Sequence, residues 1–167
     1  CGAWDSFVEL SQQEIKISKE IAKSASTPSK AISIDEVEIQ NFTRFSTKDS
    51  ELDLVLGGGV VEGSLVLIGG SPGIGKSTLL LKIGSNLAKD GKKTLYVSGE
   101  ESQSQIKMRA DRLNAVDKNL YLLTEICLED ILLEVQKSDY KVLVIDSIQT
   151  LYSQNITSAP GSITQVR

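Results

Sequence analysis

The sequence contains no histidine and only two cysteines, Cys1 and Cys127. The first absence excludes histidine-based acid–base chemistry, and two cysteines 126 positions apart exclude a disulfide framework. Long apolar runs are missing too. The longest stretches of consecutive aliphatic residues are four long, Leu65–Ile68 and Val142–Ile145, whereas a helix that spans a bilayer needs ~20. No basic segment followed by an apolar one opens the chain, so no secretory signal is visible. A cytoplasmic protein with no membrane partner is the expectation. Because the chain opens at Cys1 rather than Met, it also reads as a piece of something longer.

What is present is 167 residues, 40% of them hydrophobic, with 18 basic and 22 acidic side chains for a net charge of −4. That is the composition of a soluble globular protein and the length of one domain with an appendage. The charge is uneven. Residues 1–63 carry a net −5 and residues 64–167 a net +1. Ser24, Ser26, Thr27, Pro28 and Ser29 form a polar, proline-punctuated linker run. Before it, Ser11–Ala25 reads as loop or frayed helix. After it, Ile32, Ile34, Val37 and Ile39 alternate roughly as a short edge strand would. Leu52, Leu54 and Leu56 lead into Gly57-Gly58-Gly59, read as a flexible turn.

From residue 64 short apolar runs alternate with helical patterns. The run 64–69 (SLVLIG) predicts a strand buried on both faces, and 76–90 a helix with Leu79, Leu80, Ile83 and Leu87 on one side, stopped by Gly91. Strands are predicted at 94–97, 120–123 and 141–146. Helices are predicted at 102–113, with Ile106, Ala110 and Leu113 inward, and at 128–135. Strand and helix in alternation imply βαβ units around a mostly parallel sheet, an α/β fold.

The strongest motif is Gly70-Ser71-Pro72-Gly73-Ile74-Gly75-Lys76-Ser77, followed by Thr78, a full match to G-x-x-x-x-G-K-[ST]. Glycines let the backbone wrap an anion so that successive N–H groups point at phosphate oxygens. Lys76 is then placed for the β- and γ-phosphates and the Ser77 hydroxyl for Mg²⁺. The helix that starts at Lys76 lends the positive end of its dipole. Four specified positions match by chance in roughly one chain of this size in a hundred or fewer. The motif also sits between a strand pattern and an amphipathic helix, where a phosphate loop must be. A nucleoside triphosphate site at residues 70–78 is the expectation.

Two further segments carry acids. Val142-Leu143-Val144-Ile145-Asp146 is an aliphatic strand whose terminal carboxylate emerges where open α/β sheets bind ligands. Asp146 is the candidate Mg²⁺ acid, the alternative being a helix cap or turn starter. Ser98-Gly99-Glu100-Glu101-Ser102 follows the second strand of the alternating region. A carboxylate there could orient a water for attack on a γ-phosphate. Equally, Ser98 or Ser102 could cap a helix with Glu100 and Glu101 in its first turn. Lys107, Arg109 and Arg112 on the helix that follows read as a solvated basic face, and Cys127 as a small core residue.

The segments GSPGIGKSTLLL (70–81), LYVSGEES (95–102), QIKMRADRL (105–113) and VLVIDSIQTLYS (142–153) together resemble the bacterial RadA/Sms DNA-repair family of RecA-like ATPases. ELDLVLGGGVVEGSLVLIGG (51–70) and SAPGSITQVR (158–167) are similar to it as well, so the likeness covers about 42–167. The resemblance implies a RecA-like core, incomplete on its C-terminal side, and a hexameric ATP-driven motor for branch migration in recombinational repair. Its implied partners are single-stranded and branched DNA and a RecA-type recombinase. Carried over residue by residue, Lys76 and Ser77 are the Walker-A pair, Asp146 the Walker-B acid, Glu100 the first choice for activating water and Glu101 the second. The uncharged segment 147–166 would begin the DNA-facing region.

Cys1-Gly2-Ala3-Trp4 resembles the end of the family's amino-terminal four-cysteine zinc ribbon. Zn²⁺ is therefore implied for the intact protein, with Cys1 as one ligand, and not for this chain. The implied layout is a zinc-ribbon remnant at 1–4, a linker at 5–41 and part of the ATPase domain at 42–167. RecA-like sheets also insert a strand from beyond the Walker-B segment between the P-loop and Walker-B strands. That strand would follow Arg167, leaving edges unpaired, so this piece is expected to be inactive alone. Two other readings stand beside a DNA-stimulated ATPase: another RecA-like ATPase, such as a replicative helicase or KaiC-like protein, and a nucleotide-binding regulatory or scaffold module that hydrolyses little.

Overall fold

The computed structural model describes residues 31–37 and 42–156. The chain divides into two units, Cys1–Asn41 and Phe42–Arg167. In the first, Ile34–Glu36 form one 3₁₀ turn and residues 31–37 are exposed. The edge strand predicted from Ile32, Ile34, Val37 and Ile39 is therefore corrected over its described part, Ile39 lying outside it. Alternation makes a strand only against a neighbouring edge. Here the Ser33 hydroxyl instead donates to the Asp35 carboxylate and the Glu36 N–H donates to the Ser33 carbonyl, at 3.0 Å, which closes a local turn. Ser11–Ala25, the linker run and Cys1 lie outside the described residues.

The second unit begins with a small antiparallel pair, β1 (Arg44–Phe45) and β2 (Val60–Val61), joined through helix α1 (Ser50–Val55). Residues 50–55 are thus helical, where sequence suggested only a lead-in to a turn. Asp49 caps α1 by accepting from the Leu52 N–H. The turn after it is built around Arg44, whose guanidinium donates to the carbonyls of Leu56 at 2.7 Å and Gly59 at 3.1 Å. Gly59 sits at φ +120°, and a Cβ there would lie 2.4 Å from the Phe45 carbonyl oxygen. Only glycine closes that turn. Asp53 accepts from Ser46, Thr47 N–H and Thr47 Oγ1, and the Thr47 carbonyl accepts from Asn86 of the long helix α2 (Lys76–Lys89), at 3.1 Å.

The main layer is a parallel sheet in the order β4–β3–β5, with β3 Thr94–Ser98, β4 Leu120–Thr124 and β5 Val142–Asp146. Helices α2 (Lys76–Lys89), α3 (Gln103–Arg112) and α4 (Leu128–Lys137) alternate with the strands in the chain, as the sequence pattern implies. All five residues of β3 are buried, because it is central and covered on both faces. On one face Tyr96 and Val144 pack with Leu81 of α2 and with Ile106 and Ala110 of α3. On the other, Leu95 and Val97 pack with Ile131 of α4 and with Leu151. This is a three-layer α/β arrangement, consistent with part of a RecA-like core.

The helix ends follow their local sequence. Gly91, at φ +85°, ends α2: its N–H donates to the Ala88 carbonyl and the Lys92 N–H to that of Leu87, a Schellman closure. Ser102 and Gln105 form a capping box at the start of α3. Cys127 is buried at the N-cap of α4, where its Sγ lies against Glu129 and Gln154.

One predicted strand is absent. Residues 64–69 are not assigned to a strand, and Leu65 and Leu67 are 95% and 81% exposed. An aliphatic run becomes a strand only when a neighbour completes its hydrogen-bond ladder. Among the described residues none does, and β5 likewise has β3 as its single strand neighbour. No described helix is long and apolar enough to cross a membrane.

Candidate active site

Parallel pairing in register puts the carboxyl ends of β3 and β5 side by side, with Ser98 opposite Asp146. The Gly99 N–H continues that ladder by donating to the Asp146 carbonyl at 3.3 Å. The loop carrying Glu100 and Glu101 is therefore fixed beside the end of β5. Gly99 packs tightly there, since a Cβ on it would lie 2.2 Å from Thr150 Oγ1 and 2.8 Å from Ile126 Cγ2.

On the same edge, the glycine-rich loop feeds α2. Gly73 and Gly75 have φ of +78° and +104°, and Gly75 is the helix N-cap. A Cβ on either would meet no atom within 4 Å. Backbone conformation, rather than crowding, demands glycine at these two positions. The space beside them, with the first N–H groups of α2 unpaired by helix geometry, suits a phosphate. Lys76 folds back over the loop, its Nζ donating to the carbonyls of Gly70 at 2.9 Å and Ser71 at 3.0 Å. Pro72, Ile74 and Thr78 complete the segment, and Ile74 is exposed.

Sixty-nine positions separate Ser77 from Asp146, yet Ser77 Oγ donates to Asp146 Oδ1 at 3.0 Å. The side chain of Asp146 does not cap the 3₁₀ turn Ile148–Thr150 that follows β5. Its other oxygen, Oδ2, accepts from Tyr96 OH at 2.5 Å. A serine hydroxyl beside a carboxylate is an all-oxygen donor set, the chemistry that suits Mg²⁺. The two acids of the β3–α3 loop are placed differently. Glu100 is exposed and accepts from Ser147 Oγ at 3.2 Å, next to Asp146. Glu101 is held by Arg109 in an ion pair of 2.6 Å.

The structure thus brings Ser77, Asp146 and Glu100 to one edge and leaves Lys76 on its own loop. It also adds residues that motif reading passed over. Tyr96 is fully buried, and its phenol is pushed above the ordinary tyrosine range by burial first and then by the Asp146 carboxylate. Its sequence signal was a tyrosine inside a buried strand, because a buried phenol requires a polar partner. Arg109 departs from the solvated face expected of it: its side chain is only 15% exposed. Lys107 keeps to that face, paired with Asp111 one turn on. Glu129 was missed as well. It accepts from Cys127 Sγ, Ser153 Oγ, the Gln154 N–H and Asn155 Nδ2, tying the segment after β5 to the start of α4. The bond from Ser153 foremost, with backbone N–H groups including that of Gln154 and then the Cys127 thiol, lowers its pKa to about 2.

Comparison with known proteins agrees with this architecture. Across its full length the chain is 70% identical to the DNA repair protein RadA of Campylobacter jejuni. It is 54% identical to RadA of Helicobacter pylori and 47% identical to RadA of Bacillus subtilis, again over all of its residues. It spans 37% of the length of each of these relatives. A family model described as AAA domain matches residues 33–166. With a phosphate loop, a parallel sheet and most of its length matched, the chain belongs to the AAA domain family.

Proposed function

We propose that this chain is the nucleotide-binding part of a DNA-repair ATPase that hydrolyses ATP to drive branch migration of recombination intermediates. The observation that carries the reading is the Ser77–Asp146 contact, which joins the two halves of the candidate site across 69 positions. In this reading the triphosphate lies in the loop 70–78, over the N-terminus of α2. Lys76 exchanges the Gly70 and Ser71 carbonyls for β- and γ-phosphate oxygens. Ser77 and Asp146 hold Mg²⁺, which when bound neutralises charge on the β- and γ-phosphates. Glu100 accepts a proton from the water that attacks the γ-phosphorus, and ADP leaves with the electrons of the broken P–O bond. Glu101 is the weaker candidate because Arg109 already occupies its carboxylate.

The DNA part of the proposal is supported by similarity to proteins named for DNA repair. The whole protein would act on single-stranded and branched DNA as a cytoplasmic homo-hexamer alongside a RecA-type recombinase. Residues 1–4 would close a zinc ribbon, 5–41 would be a linker and 42–167 part of the ATPase domain. ATP turnover of the full-length protein, with and without single-stranded DNA, tests this. Stimulation by DNA is expected; slow turnover indifferent to DNA would favour a nucleotide-binding scaffold.

A further inference from the structure

A chain of polar groups runs inward from the Ser77–Asp146 pair, and the phosphate-loop reading makes no use of it. Tyr96, in the middle of β3, has no exposed surface. Its OH donates to Asp146 Oδ2 at 2.5 Å and accepts from Arg109 Nη2 at 3.4 Å. Arg109 Nη1 in turn donates to Glu101 Oε1 at 2.6 Å. The Arg109 Nε is buried with no hydrogen-bond partner, so the guanidinium is held by its ends.

The order of these groups has chemical consequences. A carboxylate rotates readily about its terminal torsion, and the Ser77 bond alone restrains one oxygen. The second bond, from Tyr96, fixes the carboxylate plane. The donor is a neutral phenol, so it brings no positive charge to compete with a metal for Asp146. Were Arg109 to touch Asp146 directly, its charge would compete with that metal. Placed one group away, the guanidinium occupies a phenol lone pair, which directs the hydroxyl proton toward Asp146, while Glu101 balances its charge.

Building on the reading of Ser77 and Asp146 as the metal-holding pair, we propose that Tyr96 is a positioning residue for Asp146. Arg109 orients its hydroxyl, and Glu101 is the outer anchor of this relay. Groups that orient metal ligands are typically worth 10–100-fold in metal affinity.

The test uses the full-length protein and the fluorescent nucleotide mant-ATP, titrated first in EDTA and then at fixed nucleotide with increasing Mg²⁺. For Tyr96→Phe, affinity in EDTA should stay within about twofold of wild type, while the Mg²⁺ concentration for half-maximal effect rises ~10–100-fold. An unchanged Mg²⁺ requirement overturns the proposal, as does a parallel loss of affinity in EDTA, which would mark a merely structural role. If Tyr96→Phe does not fold, Arg109→Gln, which leaves β3 intact, decides it: a raised Mg²⁺ requirement supports the relay and a wild-type one refutes it. Lys76→Ala separates the two levels of inference. Wild-type mant-ATP binding by that variant would overturn the nucleotide site itself, not the relay.

Discussion

Adding one methyl group to this protein should have opposite effects at two glycines, the half-buried Gly99 and the buried Gly84. At Gly99 a Cβ would lie 2.2 Å from Thr150 Oγ1, 2.7 Å from Thr150 Cβ and 2.8 Å from Ile126 Cγ2. Thr150 cannot easily yield, because its Oγ1 already donates to the Ser147 carbonyl at 2.7 Å. Overpacking of this kind costs about 1–3 kcal/mol. At Gly84, inside α2, a Cβ would meet Leu120, Thr94 and Val144 at 3.6–3.8 Å, ordinary contact distances. Its backbone is helical, so alanine removes unfolded-chain freedom without strain and should stabilise by ~0.5–1 kcal/mol. Thermal unfolding of the full-length variants by differential scanning fluorimetry reads both. The Gly99→Ala midpoint should fall and the Gly84→Ala midpoint should rise, the fall being the larger shift. Equal shifts of the same sign would refute the packing described around the end of β3.

Three other outcomes are expected. Lys76→Ala should lower ATP turnover by at least ~100-fold, since it removes a cation from the developing transition state, and steady-state phosphate release measures this. Glu100→Gln should slow turnover by ~10²–10⁴-fold while sparing nucleotide binding; the same pattern for Glu101→Gln instead would reverse their assignment. Glu129 has a lowered pKa in the fold, so its contribution to stability is complete above the ordinary glutamate value and is lost as pH falls through about 2. The stability gap between wild type and Glu129→Gln should therefore narrow steadily on acidification below that ordinary value, as urea unfolding at a series of pH values would show.

Local pattern was enough to read most of the sheet and its helices. The runs 94–97, 120–123 and 141–146 became strands within a residue or two, and Gly91 ended α2 as its αL geometry requires. The stretch 64–69 shows the limit. Its apolar content is that of a buried strand, but pairing depends on a partner that no local pattern supplies. The site was legible in the same measure. Glycine spacing and a strand-ending aspartate announce Ser77 and Asp146, whereas the bond between them is a property of sheet register. Tyr96 and Arg109 were hidden for a related reason: their partners lie 50 and 8 positions away, and neither spacing belongs to a known motif.

The central claim is that Ser77 and Asp146 act as one site. A double-mutant cycle with Ser77→Ala, Asp146→Ala and the double variant, read as Mg²⁺-dependent mant-ATP affinity, tests it most directly. Residues that share a contact couple by ~0.5–3 kcal/mol, so the double variant should lose clearly less affinity than the two single losses combined. Strictly additive losses would contradict the account.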